Sequence, residues 1–152
     1  MFGLIKKRPT RFFSEEENQR IVAAIQEAEK RTSGEVRIFV EKRCRFVDPL
    51  MRAKEIFVSL KMTETAQRNA VLVYVAMKDR QLAIFGDEGI HAKVGNDFWN
   101  SEVKKILLQF NRDNYAEGLI QVIRDTGEAL VTHFPYDGTT DKNELPDEIV
   151  FG

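Results

Sequence analysis

The side chains in this sequence best suited to chemistry are acidic, and they fall where strands and helices should begin or end. Asp48 precedes Pro49. Asp79 and Arg80 stand in the polar step KDR between two apolar runs, and Asp87 and Glu88 lie between Gly86 and Gly89 in FGDEGIHAKVGNDFW, with Asp97 further on. A hard cation such as Ca²⁺ or Mg²⁺ needs several oxygen ligands, and carboxylates in loops beside one sheet edge can converge to supply them. Most of these residues have a competing structural duty: Asp48 and Asp97 as helix caps, Asp79 as a turn residue. The Asp87-Glu88 pair has none in sequence terms, so these two are the metal candidates. Asp79 is a third candidate ligand, with the basic Arg80 beside it. The glycines have a plainer explanation, because a chain leaving a strand and reversing uses positive φ values that glycine adopts without steric cost.

Other chemistries are poorly supported. Cys44 follows a strand and precedes a helix, as a phosphatase nucleophile would, but position 50, where the phosphate-binding arginine would stand, is Leu50 and the loop has no glycine. A semi-buried structural thiol is the expectation. His91 and His133 have no further ligands at zinc spacing, and neither a nucleophile elbow nor a phosphate-binding glycine loop is present.

The elements that must position these residues follow from periodicity. Ser14 with Glu17 forms a capping box ahead of a helix whose apolar stripe is Ile21, Ile25 and Ala28, ended by Ser33-Gly34. From Glu35 the period becomes two, with Val36, Ile38 and Val40 on one face and Arg37, Phe39 and Glu41 on the other. Asp48-Pro49 opens a second helix carrying Leu50, Ala53, Phe57 and Leu60. AVLVYVAM, from Ala70 to Met77, reads as a central strand covered on both faces, and Gln81 to Phe85 as its hairpin partner. Trp99, Val103, Ile106 and Phe110 form a third helix, and Tyr115, Leu119, Val122, Ile123 and Leu130 a fourth. The strand, helix, strand order predicts a right-handed crossover, with strands one and two parallel and strand three antiparallel beside two. The fold class expected is α/β, a mixed and mostly parallel sheet with helices packed on both faces. Residues 1–12 are expected to form a flexible segment, 13–134 the domain, and 135–152 an extended acidic tail whose apolar end, Ile149-Val150-Phe151, can dock.

Lys plus Arg number 23 against 24 for Asp plus Glu, so no net field favours nucleic acid. The start MFGLIKKRPTRFF lacks a signal-peptide core, and no run approaches the roughly 18 apolar residues of a membrane span. The expectation is a cytoplasmic chain with no transmembrane segment. Phe2, Leu4 and Ile5 with Lys6, Lys7, Arg8 and Arg11 offer contact at a membrane surface or with a partner.

The capped first helix, TSGEVRIFVE, the apolar strand after RNA, MKDRQLAIFGDEGI and FNRDNYAEGLIQVI together resemble the TPM domain, over about residues 13 to 134. That family is named after a thylakoid lumen protein, a photosystem II repair protein and a nematode receptor modulator. The resemblance implies an α-β-α sandwich and a polar cleft at the strand ends. Some relatives are described as acid phosphatases and some as divalent-metal binders. Carried over by position, Asp79, Arg80, Gly86, Asp87, Glu88 and Gly89 match the cleft, and Asn69 matches the polar residue before the central strand. Ala70 stands where relatives usually have glycine, and the signal peptide and C-terminal membrane helix of many relatives have no counterpart here.

Two functions follow as expectations. The favoured one is a non-catalytic binding or accessory module for a protein partner, a membrane-associated protein among the candidates, because no nucleophile, base and orienting group form a set. The alternative is a divalent-metal-dependent phosphomonoesterase using Ca²⁺ or Mg²⁺.

Overall fold

The computed structural model describes residues 12–45, 48–136 and 148–152. The N-terminal segment Phe2 to Arg11 and tail residues 137–147, on which sequence expectations were placed, lie outside the described residues. Elements run α1 (Glu15–Glu29), β1 (Glu35–Glu41), α2 (Pro49–Ser59), β2 (Ala70–Ala76), β3 (Gln81–Gly86), α3 (Glu88–Phe110), α4 (Tyr115–His133) and β4 (Val150–Phe151).

The sheet has four strands in the order β3-β2-β1-β4, with β1 parallel to both β2 and β4, and β3 antiparallel to β2. β2 is buried along its whole length. A strand with apolar side chains on both faces has to be covered twice, and it is. Val36, Ile38, Val40, Val71, Val73, Val75, Leu82 and Ile84 pack on α1, α3 and α4. Phe39, Leu72, Tyr74 and Ala83 pack on Ala53, Ile56 and Phe57 of α2. The period-two reading of β1 and the crossover are therefore borne out, as is the α/β class.

Local chemistry starts α1 and α2 where expected. Ser14 Oγ accepts from the Glu17 amide at 3.1 Å while Glu17 Oε1 accepts from the Ser14 amide at 2.8 Å, two otherwise orphaned donors satisfied at once. Asp48 caps α2 through the Leu50 amide at 2.9 Å. α2 is tied to the sheet by Glu41, whose two oxygens each accept from Arg52 at 2.9 Å and one of which accepts from the buried Tyr74 hydroxyl. Burial works against the ionised Glu41, yet the hydrogen bonds from Arg52 and Tyr74 outweigh it and hold its carboxyl below the usual range.

Two expectations change, and the docking of the tail's apolar end takes a definite form. α1 stops at Glu29, with Lys30 as its C-cap; Gly34 matters for a close approach, since a Cβ there would come within 2.6 Å of Leu130. The third helix begins at Glu88, well before Trp99, because Asp87 caps it, and Asp97 thus lies inside the helix rather than at its start. The end of the tail is a strand: Val150 and Phe151 pair with Phe39 and Val40, and Phe151 stacks on Phe12 with ring centroids 6.5 Å apart. No described helix is long and apolar enough to cross a membrane.

Between α3 and α4 sits a buried carboxyl. Glu102 is 2% exposed; burial first, and its hydrogen bond with Asp125, push it up to about 7, against the pull of Lys105. Lys105 Nζ donates to Glu102 at 3.0 Å and to Asp125 at 3.1 Å. Asp125 is held below its ordinary value: burial opposes this, but Glu102 and Lys105 prevail. Glu102 stays protonated in the folded chain at pH values where it ionises when unfolded, so its contribution is complete below about pH 4.5 and is lost as pH rises through 7. Asp125 acts oppositely, but only below its unfolded value near 4. Urea titrations should show unfolding free energy falling by roughly 1–3 kcal/mol between pH 5 and pH 8, and Glu102→Gln should remove most of that slope. An equal slope in the variant would refute the assignment.

Candidate functional site

A groove of about 580 Å³ runs along β3, which has no strand on its outer side among the described residues. Leu82 to Gly86 form its floor. Pro49, Leu50 and Lys54 of α2 line one wall, and His91, Asn96, Trp99, Asn100 and Val103 of α3 line the other. Arg68, Asp87 and Glu88 close one end. Two smaller hollows, of about 490 and 420 Å³, lie along α1 and gather no strand ends.

The closed end follows from the hairpin register. Val71 pairs with Gly86, and the ladder continues as the Asp87 amide donates to the Ala70 carbonyl at 2.9 Å, so the residue before β2 meets the residues after β3. Arg68 Nε and Nη2 donate to the two oxygens of Asp87 at 2.7 and 2.8 Å, and Nη1 donates to Glu88 at 3.2 Å. The bond to Asp87 chiefly holds the Arg68 guanidinium above its ordinary value. One Asp87 oxygen also accepts from the Glu88 amide at 2.8 Å. Arg68 adopts φ 52, left-handed backbone that costs a non-glycine residue on the order of 1 kcal/mol; the Gly89 amide donating to its carbonyl at 2.8 Å helps to hold it there.

Gly86, Asp87, Glu88 and Gly89 are thus brought together. Asn69 stands at the same end of the sheet, 1% exposed, donating to Ser33 Oγ at 3.2 Å. Asp79 and Arg80 are elsewhere. They occupy the hairpin turn at the opposite end of the six-residue β3, a distance of roughly 17–20 Å at about 3.3 Å per residue. There Asp79 accepts from the Cys44 amide at 2.7 Å and from Arg43 at 3.3 Å, and Arg80 lies 3.7 Å from Asp113. The expectation that carboxylates gather along one rim is corrected: an antiparallel hairpin puts its turn and its two ends at opposite edges.

Nor does Asp87 lack structural duty, since it caps α3 and neutralises Arg68. Among the described residues no three His, Cys, Asp or Glu side chains come together as metal ligands would. With both Asp87 oxygens engaged by Arg68, this donor set does not fit a Ca²⁺ or Mg²⁺ centre as arranged.

The glycines divide, one taking the positive φ expected of them and two not. Gly95 takes positive φ, 76°, and kinks α3. Gly86 and Gly89 instead permit close contact: a Cβ on Gly86 would lie 2.4 Å from the Trp99 ring, and one on Gly89 2.2 Å from the Gln67 carbonyl oxygen.

Sequence reasoning missed Arg68, Lys54, Trp99 and His91 as site residues. Arg68 was within reach of it, since extending the hairpin register past Ala70 and Asp87 sets Asn69 opposite Glu88 and leaves the next residue, Arg68, with a side chain long enough to reach both carboxylates. The others come from separate helices: Lys54 Nζ stands 5.8 Å over the Phe85 ring, and Trp99 Nε1 donates to His91 Nδ1 at 3.1 Å.

The family described as the TPM domain matches residues 7–129. Among solved structures, the chain is similar to the BA42 protein from the psychrophilic bacterium Bizionia argentinensis, 41% identical over 97% of this chain and 100% of that one, with a TM-score of 0.86. It shares its fold with the N-terminal domain of the cg2496 protein from Corynebacterium glutamicum, 12% identical over 83% of this chain and 86% of that one, TM-score 0.62. No curated protein matches the sequence.

Because Gly89 abuts backbone, Gly89→Ala should cost about 3 kcal/mol in urea unfolding. Gly95→Ala, strained in φ but facing open space, should cost about 1 kcal/mol. The reverse order would mean that the contact between α3 and the segment before β2 is not tight.

Proposed function

The chain belongs to the TPM domain family, and from that premise we propose that it acts as a non-catalytic binding module for a protein partner, recognised in the groove along β3. The observation that carries this reading is the groove's composition: an apolar floor with its strongest charges already engaged. Asp87 and Arg68 neutralise each other, and His91 is bonded to Trp99 rather than to a nucleophile. Catalysis by a side-chain nucleophile needs that nucleophile, a base and an orienting group within hydrogen-bond reach. Cys44, beside Asp79 at the far end of the sheet, is out of range of His91.

The alternative reading, a divalent-metal-dependent phosphomonoesterase, draws on the acidic pair at the groove's end, where Glu88 is exposed and held by Arg68 alone among the described ion pairs. It requires Asp87 to be released from Arg68.

One set of measurements separates the two. Purified protein supplied with Ca²⁺, Mg²⁺ or Mn²⁺ should not hydrolyse an aryl phosphate above background, and calorimetry with each ion should give no saturable heat that Arg68→Met enhances. Asn100→Arg, which puts an exposed bulky cation in the groove without touching the core, should abolish capture of a partner that the unaltered chain retains. Metal-dependent hydrolysis lost in Glu88→Gln would support the phosphatase instead, and capture indifferent to Asn100→Arg would remove the groove from recognition.

A further inference from the structure

We infer that the groove takes an extended peptide of a partner protein, added as a fifth strand on the outer edge of β3, with apolar side chains against Trp99 and Val103 and an acidic side chain at Lys54. The inference rests on the binding-module reading of the same groove and specifies the partner's chemistry.

The backbone makes the first part of the case. The Asp87 amide bonds to the Ala70 carbonyl, which makes Ala70 and Asp87 a hydrogen-bonded pair. In an antiparallel ladder such pairs alternate, so Leu72 with Phe85 and Tyr74 with Ala83 are the next ones. The amides and carbonyls of Leu82, Ile84 and Gly86 therefore point away from β2, into the groove. Their side-chain positions are buried, so what these three residues offer outward is backbone. Only another extended chain matches that repeat of donors and acceptors; a helix, with its own backbone groups satisfied internally, does not.

The edge is also unguarded in a telling way. Exposed edge strands ordinarily carry lysine, proline or a bulge that discourages pairing. QLAIFG has no charged residue and no proline, and it pairs in unbroken register with β2. The walls limit access instead, leaving a slot between α2 and α3. The other edge of the core sheet is already occupied, because Val150 and Phe151 of this chain add to β1, two strands away from β3.

The walls specify the side chains. Successive residues of an added strand would face α3 and α2 in turn. The α3 wall offers Trp99, Val103, Asn96 and Asn100, with no charge. The α2 wall offers Leu50, 36% exposed, and Lys54, whose ammonium lies over Phe85 and makes no ion pair among the described residues. A carboxylate on the incoming strand complements Lys54. A nucleic acid backbone does not suit the site, since Asp48, Asp87 and Glu88 stand at its ends.

The lone tryptophan lies on the groove wall and reports on binding directly. Short random peptides displayed against the immobilised full-length chain should enrich sequences that alternate β-branched or aromatic residues and carry one Asp or Glu. A synthetic peptide of the enriched type should change Trp99 emission saturably and slow amide exchange at Leu82, Ile84 and Gly86 but not at Ala83 and Phe85. N-methylating its inward amides should weaken binding about tenfold per amide, while methylating the outward ones should not. Lys54→Glu should weaken it about fivefold.

The inference is overturned if nothing is enriched, if enriched peptides follow a helical pattern, or if inward N-methylation is tolerated. It is overturned equally if the only binder is the chain's own NELPDEIVFG with concentration-dependent dimerisation, which would make a second copy the occupant. Should any of these occur while capture still depends on Asn100, the binding-module reading stands and strand addition alone falls.

Discussion

β2 is apolar on both faces and hydrogen-bonded on both edges, and its register with β3 orders the molecule. Seven consecutive residues from Ala70 to Ala76 are buried, so helices must close over both sides, and the crossover through α2 supplies one of those layers. The pairing of Val71 with Gly86 and Ala76 with Gln81 then sends the residues before β2 and after β3 to one end, and the turn residues to the other. A slip of one residue would turn Leu82 and Ile84 from the α3 and α4 side onto the α2 side, exchanging two cores of different size.

That register explains why the acidic groups serve structure. At one end, the ladder sets Ala70 opposite Asp87, and the guanidinium of Arg68, two residues earlier, reaches across to Asp87, which also starts α3. At the other, Asp79 closes the segment after β1 through the Cys44 amide. On the α2 side Glu41 binds Arg52 and Tyr74. In each case a partly or wholly buried carboxylate is matched by hydrogen bonds, as the cost of desolvating it demands. The carboxyl between α3 and α4 meets the same cost in another way, burial favouring its protonated form.

What remains open is backbone. The β3 edge and the slot beside it arise because α2 and α3 approach the strand from opposite faces without covering its outer rim. The kink at Gly95 lets one helix both begin at the end of β3 and return across the sheet, so that Trp99 packs on Gly86. A β-carbon at position 86 would push that wall away from the strand. The groove's shape therefore depends on two glycines for different reasons, one conformational and one steric.

The sequence by itself determined most of the elements, the covered central strand and the mixed sheet, because these follow from local periodicity, caps and turn residues that each act within a few positions; the TPM resemblance was legible separately, in whole segments of the chain. Ser14 with Glu17, Asp48 with Pro49 and the alternation from Val36 to Val40 are of the local kind. It also indicated where charged groups cluster along the chain, at residues 79–80 and 86–89. Only the tertiary structure decided that these two clusters lie at opposite ends of β3, that Arg68 engages Asp87, that the last residues form β4, and that Lys54 and Trp99 face each other across a strand edge. Those outcomes depend on which residues distant in sequence become neighbours in space. The hairpin register and the helix kink set this, and neither is written in the type of any single residue.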